Sequence, residues 1–356
     1  MLWGLLGAGI AVFLLITQAN ALGSYASVLQ VGEDSELASY ISTRLPDLNL
    51  MPGVGNDGSI YFAIGSDLRG STVPSLIPSP GLRYRRIAYP LLASFGGLLD
   101  GRGLLVGMIT VVVASASSSL ASLMAMAARF NLPRWVAFGL IGNFGWVLGI
   151  RLLTPDPLGI ALMLAGIGAA LGDRPAKATL FLAGAALTKE PYYVAALAVA
   201  MWLWTSRRRR WALASVITPL APVAIWTAIL HGHMGGFNTG SHLDWPIMGV
   251  VKGAAFWAGA PTKDHAYSAL ALVSLGLAIG GGFVAKAALL RWLSWGWAGV
   301  GLISSDWIWK FGNASLRVLA PCLLFGLLCV ASLDHRSSEQ RTESFDPAFD
   351  IGRAGN

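Results

Sequence analysis

Long apolar blocks, separated by short polar segments, dominate the pattern of hydrophobic and polar positions along this chain. The blocks lie near residues 2–22, 104–128, 135–150, 156–172, 177–188, 191–205, 211–230, 266–285, 289–304 and 315–333. A membrane-spanning helix needs about 20 mostly apolar residues, and shorter blocks suit tilted or broken helices. The pattern therefore predicts an all-α, polytopic transmembrane helical bundle of about ten spans, with both termini on one side of the membrane.

One long polar segment, residues 23–103, separates the first two apolar blocks and punctuates its middle with proline and glycine. Its apolar stretch 87–99 is too short to span a membrane, so we expect interfacial helices in this loop. Residues 243–260, rich in Trp and Gly, predict a second interfacial or re-entrant piece. Residues 1–333 are then a single transmembrane domain, and the polar residues 334–356 are expected to be a disordered cytoplasmic tail.

The composition supports a membrane protein and argues against the soluble classes. Hydrophobic residues make up 55% of the 356 residues and charged residues only 12%, whereas soluble domains carry about 25% charged residues. The net charge of +7 does not indicate nucleic acid, because cytoplasmic loops of membrane proteins concentrate Lys and Arg. Cys322 and Cys329 both lie in the last apolar block, so they predict packing rather than a disulfide framework or a metal site.

The basic residues of the short loops set the expected orientation. The run Arg207 to Arg210 is the strongest marker of a cytoplasmic loop, which places segment 23–103 on the outer face. The first block could instead be a signal peptide, since Ala19-Asn20-Ala21 resembles a cleavage site, but its start carries no positive charge. An uncleaved first span is the favoured interpretation, and both alternatives leave the following loop outside the cytoplasm.

The candidate chemistry is concentrated in the outer loop and at a few helix ends. Asp57 follows a turn signal and precedes a short apolar helix, so it either caps that helix or presents a carboxylate that can accept a proton. Asp67 likewise has two interpretations: it is either a plain loop residue or a second carboxylate of the site. Arg83, Arg85, Arg86, Lys189 and Arg317 are basic residues expected at the outer face. Such cations bind lipid headgroups generally, or one phosphate specifically.

Four stretches of the chain resemble the GT-C superfamily of polytopic membrane glycosyltransferases, and bacterial mannosyltransferase-like membrane proteins in particular. The resemblance is carried by Asp57-Gly58-Ser59-Ile60-Tyr61-Phe62-Ala63-Ile64-Gly65-Ser66-Asp67, by Pro80 to Ala93, by Leu187-Thr188-Lys189-Glu190, and by Asn313 to Pro321. The first-loop stretches are the specific ones. Gly65 departs from the pattern, which usually has Ala there.

The resemblance implies a GT-C-like fold and an enzyme that transfers a sugar from a polyprenyl-phosphate donor to a glycan, lipid or protein hydroxyl at the outer face of the bacterial inner membrane. Asp57 would be the catalytic base, with Asp67 and Glu190 as lesser candidates for that role. The substrate-binding residues would be Asp67, Tyr61, Arg83, Arg85, Arg86, Lys189, Glu190 and Arg317. No cofactor is expected, although a divalent cation stays open. His231, His233, His242 and His265 lie on predicted outer loops but lack a convincing metal-ligand spacing.

Other interpretations stay open at this stage. The main alternative to an enzyme is a polytopic transporter or lipid flippase of envelope biogenesis. Transporters tend to bury ionisable residues in mid-membrane and to contain internal repeats. The chain shows no clear repeat, and its acidic residues gather on outer loops, which favours the enzyme. A non-catalytic assembly partner in envelope synthesis is the third possibility. Glu190 could simply neutralise its neighbour Lys189. Asp156, between two prolines, is expected to cap a helix, and its placement at the outer face leaves a substrate contact open.

Overall fold

The computed structural model describes residues 1–96, 100–234, 244–257 and 262–343, and within these ranges the chain is helical and contains no strand. The α-helices are α1 Leu2–Leu22, α2 Leu37–Ser42, α3 Asp57–Ser66, α4 Pro80–Arg85, α5 Ala88–Ser94, α6 Gly101–Arg129, α7 Phe138–Ile141, α8 Phe144–Arg151, α9 Asp156–Leu171, α10 Pro175–Thr188, α11 Tyr193–Thr205, α12 Arg209–Met234, α13 Met248–Trp257, α14 Thr262–Val284, α15 Ala288–Ile303, α16 Asp306–Lys310 and α17 Gly312–Glu343. Short 3₁₀ turns cover Ala26–Leu29, Val73–Ser75, Arg134–Ala137 and Glu190–Tyr192.

Five helices in the described part of the chain are long and apolar enough to cross a membrane. These stretches are Leu2–Leu22, Gly101–Arg129, Arg209–His233, His265–Val284 and Gly312–Leu333. A shorter apolar helix covers Asp156–Leu171. The prediction of an all-α, multi-pass membrane protein is therefore confirmed, whereas the total of about ten spans and the GT-C-like arrangement stay predictions.

Each predicted apolar block except 135–150 forms one helix. That block breaks into a 3₁₀ turn, α7 and α8, because the buried Asn143 begins a new helix in its middle. Its side-chain oxygen accepts a hydrogen bond from the Trp146 backbone N–H (3.2 Å), which caps α8. Its amide donates to the Ala320 carbonyl in α17 (2.8 Å). One polar residue thus ends a helix and joins two others.

The long helices pack closely through small residues. A Cβ added at Gly7 of α1 would lie 2.4 Å from the Ala116 carbonyl oxygen of α6. A Cβ added at Gly326 of α17 would lie 2.7 Å from the Leu277 carbonyl carbon of α14. Backbones that approach this closely gain packing and weak polar contacts, which drive helix association in membranes.

The segment between α1 and α6 folds against the helices as a compact layer. Helix α3 is largely buried, and α5 packs on α6. Helix α5 covers residues 88–94 of the interfacial stretch predicted at 87–99, whose last three residues lie outside the described ranges. The side chains of Leu91, Leu92 and Phe95 are exposed, as an interfacial helix requires. Helix α13 falls within the second predicted piece, 243–260, and α17 extends to Glu343, beyond the predicted start of the tail at 334.

The start of α3 is positioned by an unusually close backbone contact. A Cβ added at Gly58 would lie 2.3 Å from the carbonyl oxygen of Leu152, in the connection between α8 and α9. Such a clash is with backbone, so a side-chain rotation cannot relieve it. Glycine at this position therefore sets the location of its neighbour Asp57.

We expect Gly58→Ala to lower the free energy of unfolding by about 1–3 kcal/mol, because the added methyl overpacks a rigid contact. Thermal unfolding of the detergent-solubilised protein measures this loss. Gly168→Ala in α9 is the matched control, since a Cβ there meets nothing within 4 Å and alanine favours the helix. Equal thermal stability of the two variants would contradict the proposed contact.

Candidate functional site

Asp57 is held between two arginines from distant parts of the chain. Its Oδ1 lies 2.8 Å from Nη1 of Arg83 in α4, and its Oδ2 lies 2.6 Å from Nη2 of Arg317 in α17. The three side chains are 22%, 13% and 12% exposed, respectively. Charge-assisted hydrogen bonds of this length are strong when they are shielded from water. They attach the layer that follows α1 to the last long helix of the bundle.

The helix-capping interpretation of Asp57 is wrong. Asn56 occupies the N-cap position of α3, no side chain caps this helix end, and Asp57 is the first helical residue. Burial alone would raise the pKa of the Asp57 carboxyl, but the guanidinium groups of Arg83 and Arg317 outweigh burial and hold that pKa well below its usual range. Asp57 is therefore a firmly ionised carboxylate.

A second carboxylate, Asp156, extends the cluster deeper into the bundle. Its Oδ1 lies 2.6 Å from the Nζ atom of Lys189, and its Oδ2 accepts a hydrogen bond from the Thr154 hydroxyl (2.9 Å). The same Oδ2 lies 3.8 Å from Nη1 of Arg317, so that arginine connects Asp156 to Asp57. The position of Asp156 between two prolines predicts a helix cap, yet its side chain makes no capping hydrogen bond. One feature of the sequence could have indicated this pair: Asp156 and Lys189 stand at the ends of neighbouring apolar blocks, and both ends are expected at the outer face.

Glu190 forms the third carboxylate of the cluster. Its Oε2 lies 3.1 Å from Nε of Arg86, and its Oε1 lies 3.4 Å from Nε of Arg85. Burial alone would raise the pKa of Glu190, but Arg86 and, to a smaller extent, Arg85 bring it below its usual value. Glu190 therefore pairs with the arginines of the layer instead of neutralising its neighbour Lys189, which pairs with Asp156.

Most of these groups, but neither Arg85 nor Glu190, line one small cavity, which we call the cationic cavity. Its volume is about 100 Å³, and its polar lining consists chiefly of Asp57, Tyr61, Arg83, Arg86, Asp156, Lys189 and Arg317. Apolar side chains, among them Val300, Ile308 and Val318, complete the wall. The buried Tyr61 ring packs edge-on against Tyr89, with centroids 5.9 Å apart. The structure thus brings together most of the residues that the sequence singled out.

Asp67 lies outside the cationic cavity, where it organises its own loop. Its Oδ1 accepts hydrogen bonds from the N–H and the hydroxyl of Ser71, and its Oδ2 accepts from the N–H groups of Thr72 and Val73, at 2.7–3.0 Å. Burial alone would raise the pKa of Asp67, but these donors bring it below its usual value. Its carboxylate is saturated by the loop, and the predicted role in substrate binding finds no support in this position.

The three described histidines of the predicted outer loops, His231, His233 and His265, do not line the cationic cavity. Within the described ranges, no group of three His, Cys, Asp or Glu side chains is placed to hold a metal ion. The His233 ring contacts the Arg69 carbonyl (3.1 Å), and His242 lies outside the described residues. The absence of a cofactor therefore stays a prediction.

The cluster carries more positive than negative charge. Five cations, Arg83, Arg85, Arg86, Lys189 and Arg317, share three carboxylates, Asp57, Asp156 and Glu190. In addition, Nε of Arg317, a residue of the cavity wall, is buried and donates no hydrogen bond to any described residue. Buried donors are nearly always satisfied in native proteins, so an unpartnered donor in a cavity wall requires an explanation. An anionic ligand would supply both a counter-charge and an acceptor.

Comparison with known proteins adds no further information on this site. The chain matches no protein-family model, no curated protein and no solved structure.

We expect Asp156→Asn to destabilise the protein by about 3–5 kcal/mol, because it leaves the Lys189 ammonium buried without a counter-charge. Thermal unfolding in detergent measures this effect, and adding Lys189→Met to the variant is expected to restore part of the loss. Asp173→Asn is the matched control: it breaks an exposed pair with Arg208 that is worth less than about 1 kcal/mol. A similar loss in Asp156→Asn and Asp173→Asn would contradict a buried pair.

The ion pairs of Asp57 with Arg83 and Arg317, which we call the clamp, predict that stability depends on pH. The pKa of this carboxyl is lower in the folded protein than in the unfolded chain, where it is about 3.9. Its contribution to stability is therefore complete above about pH 5 and is lost as the pH falls towards the folded pKa. We expect the gap in thermal stability between wild type and Asp57→Asn to stay constant from pH 8 to about pH 5 and to narrow below about pH 4.

Thermal unfolding of both proteins across this pH range tests the expectation, with Asp47→Asn as a control for an exposed loop carboxylate. A gap that already closes between pH 8 and pH 6 would show that the clamp does not hold the carboxyl ionised.

Proposed function

We propose that the protein is a membrane glycosyltransferase that moves a sugar from a polyprenyl-phosphate donor to an acceptor hydroxyl at the outer face of the membrane. The observation that carries the proposal is the cationic cavity, in which an ionised carboxylate adjoins a surplus of buried cations. The resemblance of the chain's sequence to GT-C glycosyltransferases also supports this proposal. The expected location is the bacterial inner membrane.

The charge of the cavity suits a lipid-linked phosphate. A sugar–phosphate–lipid diester carries one negative charge, and the lipid monophosphate left after sugar transfer carries about −1.5 to −2. Five cations against three carboxylates leave two positive charges to balance that product. Preorganised cations that match developing charge are the commonest source of catalytic rate enhancement. The buried Nε atom of Arg317 supplies a donor for a phosphate oxygen.

The reaction divides between Asp57 and the cations. The acceptor hydroxyl oxygen forms a bond to the anomeric carbon, and its proton passes to Asp57. The bond between the anomeric carbon and the phosphate oxygen breaks, and its electron pair stays with the phosphate. Arg83, Arg86, Lys189 and Arg317 stabilise the charge that develops there. Direct displacement with a single base inverts the anomeric centre.

The clamp has to open for this chemistry. Both Asp57 oxygens are occupied by guanidinium groups, and a carboxylate with a depressed pKa is a weak base. A donor phosphate competes for Arg83 and Arg317, and their transfer from carboxylate to phosphate frees an Asp57 oxygen. Loss of the paired charges raises the pKa of the buried carboxyl. Donor binding would thereby strengthen the base at the moment of need.

The alternative is a lipid flippase or another transporter that uses the same cations to carry a phosphate headgroup. Buried ionisable residues also mark transport pathways. The two functions differ in their products, because a flippase moves the lipid intact whereas a transferase breaks the bond between sugar and phosphate.

Proteoliposomes containing the purified protein, a panel of polyprenyl-phosphate hexoses and pentoses, and a mixture of methyl glycosides as acceptor hydroxyls test the proposal. We expect wild type to release polyprenyl phosphate, and Asp57→Asn to release it about 10²–10⁴ times more slowly because the base is removed. Asp47→Asn, an exposed carboxylate of the same loop, is expected to retain the wild-type rate.

Two outcomes would contradict this proposal. Release at the wild-type rate by Asp57→Asn would remove Asp57 as the base. Movement of intact labelled donor between leaflets, without cleavage in any member of the panel, would favour the flippase.

A further inference from the structure

A second and much larger cavity adjoins the cationic cavity, and we call it the loop cavity. Its volume is about 780 Å³, within the range of roughly 300–1,000 Å³ that is common for ligand sites. Residues 34–37, 54–57, 59–60 and 75–78 of the first loop form one side. The other side includes Trp307 of α16, Asn313 of α17 and, between these two helices, Phe311.

The two cavities share a wall. Asp57, Arg83, Trp307, Ala314 and Arg317 line both of them. The Asp57 carboxylate therefore lies between a cavity rich in cations and a wider cavity formed by the loop. A general base needs to reach the hydroxyl whose proton it accepts, and the sugar donor has to lie on the other side of that hydroxyl. The shared wall is the position where two substrates would meet.

The charges of the two cavities differ. Asp34 and Glu36 line the loop cavity but not the cationic cavity, are exposed, and form no ion pair with a described residue. Carboxylates without a counter-charge repel a phosphate, whereas the cationic cavity attracts one. The donor phosphate and an uncharged second substrate would thus be directed to different cavities.

The remaining lining suits a sugar ring. Trp307 and Phe311 are 46% and 47% exposed, and their ring centroids lie 5.3 Å apart. Aromatic faces offer broad apolar contact to the C–H face of a saccharide, and the exposed Asn313 adds an amide that can donate and accept hydrogen bonds. Aromatic surface with a few polar groups is the usual composition of a small-molecule site.

We infer that the loop cavity is the acceptor site and that its ligand is an uncharged saccharide whose hydroxyl faces Asp57. This inference rests on the proposed function for its role in transfer, but the binding site itself does not depend on catalysis. The competing role for Trp307 and Phe311 is anchoring at the membrane interface. In that case neither ring would influence the binding of a water-soluble sugar.

The test is a binding experiment on the full chain in lipid nanodiscs, with saturation-transfer NMR as the readout. The probes are methyl α-mannoside, methyl β-galactoside and maltose, together with mannose 6-phosphate, each measured with and without polyprenyl phosphate. We expect at least one neutral probe to bind wild type, and Phe311→Ala to weaken that probe about tenfold, because one aromatic contact is lost. Phe138→Ala, which truncates an aromatic ring that is 66% exposed outside the cavity, is the matched control and is expected to bind like wild type.

Charge gives a second, independent arm. With polyprenyl phosphate present to occupy the cationic cavity, mannose 6-phosphate is expected to bind the wild type more weakly than methyl α-mannoside. The double variant Asp34→Asn with Glu36→Gln is expected to narrow that difference. Failure of every neutral probe to bind, or equal binding by wild type and Phe311→Ala, would overturn the inference.

The two proposals can fail separately. If the protein binds neutral saccharides through Phe311 but cleaves no donor, the saccharide site is supported and the glycosyltransferase proposal is wrong. If the protein releases polyprenyl phosphate but binds no neutral probe, the proposed function is supported and the assignment of the loop cavity as the acceptor site is wrong.

Discussion

The ion pairs of Asp57 with Arg83 and Arg317 are the interaction on which the arrangement of the site depends. They join residues 26 and 260 positions apart in the chain, one in the layer that follows α1 and one in the last long helix. Buried charges are costly to desolvate and persist only when each has a partner. Because Arg317 also approaches Asp156, which holds Lys189, a change at any one member alters the electrostatic balance of the others.

The packing around this cluster is correspondingly rigid. Gly58 brings the start of α3 against the Leu152 carbonyl, and Asn143 ties α8 to α17 through the Ala320 carbonyl, three residues from Arg317. Both contacts involve backbone, which cannot adapt as a flexible side chain can. The carboxylate and its arginines are therefore placed by neighbouring elements and not by their mutual attraction alone, as a preorganised site requires.

The sequence predicted the helical membrane class and most residues of the cluster, but not their pairing. Apolar blocks identify helices because a membrane demands length and hydrophobicity, and the motif that begins at Asp57 pointed to the first loop. The pairing of Asp156 with Lys189 joins residues 33 positions apart, and no local pattern encodes it. Asn143 was missed for a related reason: an isolated polar residue hardly changes the hydropathy of a block, although its cap ends the helix. Asp67 is assigned to the site by the resembling segment that ends at it, whereas its short side chain reaches its own loop first.

The clamp on Asp57 resolves a conflict between two requirements of a buried base. Without cations, burial would raise its pKa and favour the protonated form, which cannot accept a proton. With both arginines bound, the carboxylate is ionised but weakly basic. Both requirements are met one after the other if the two arginines leave Asp57 and bind an incoming phosphate. The carboxylate is then ionised before the donor arrives, and it becomes more basic only once the donor has bound. On the proposed function, the base would then be strong only while the donor occupies the cavity, and the same ion pairs that stabilise the fold would time the reaction.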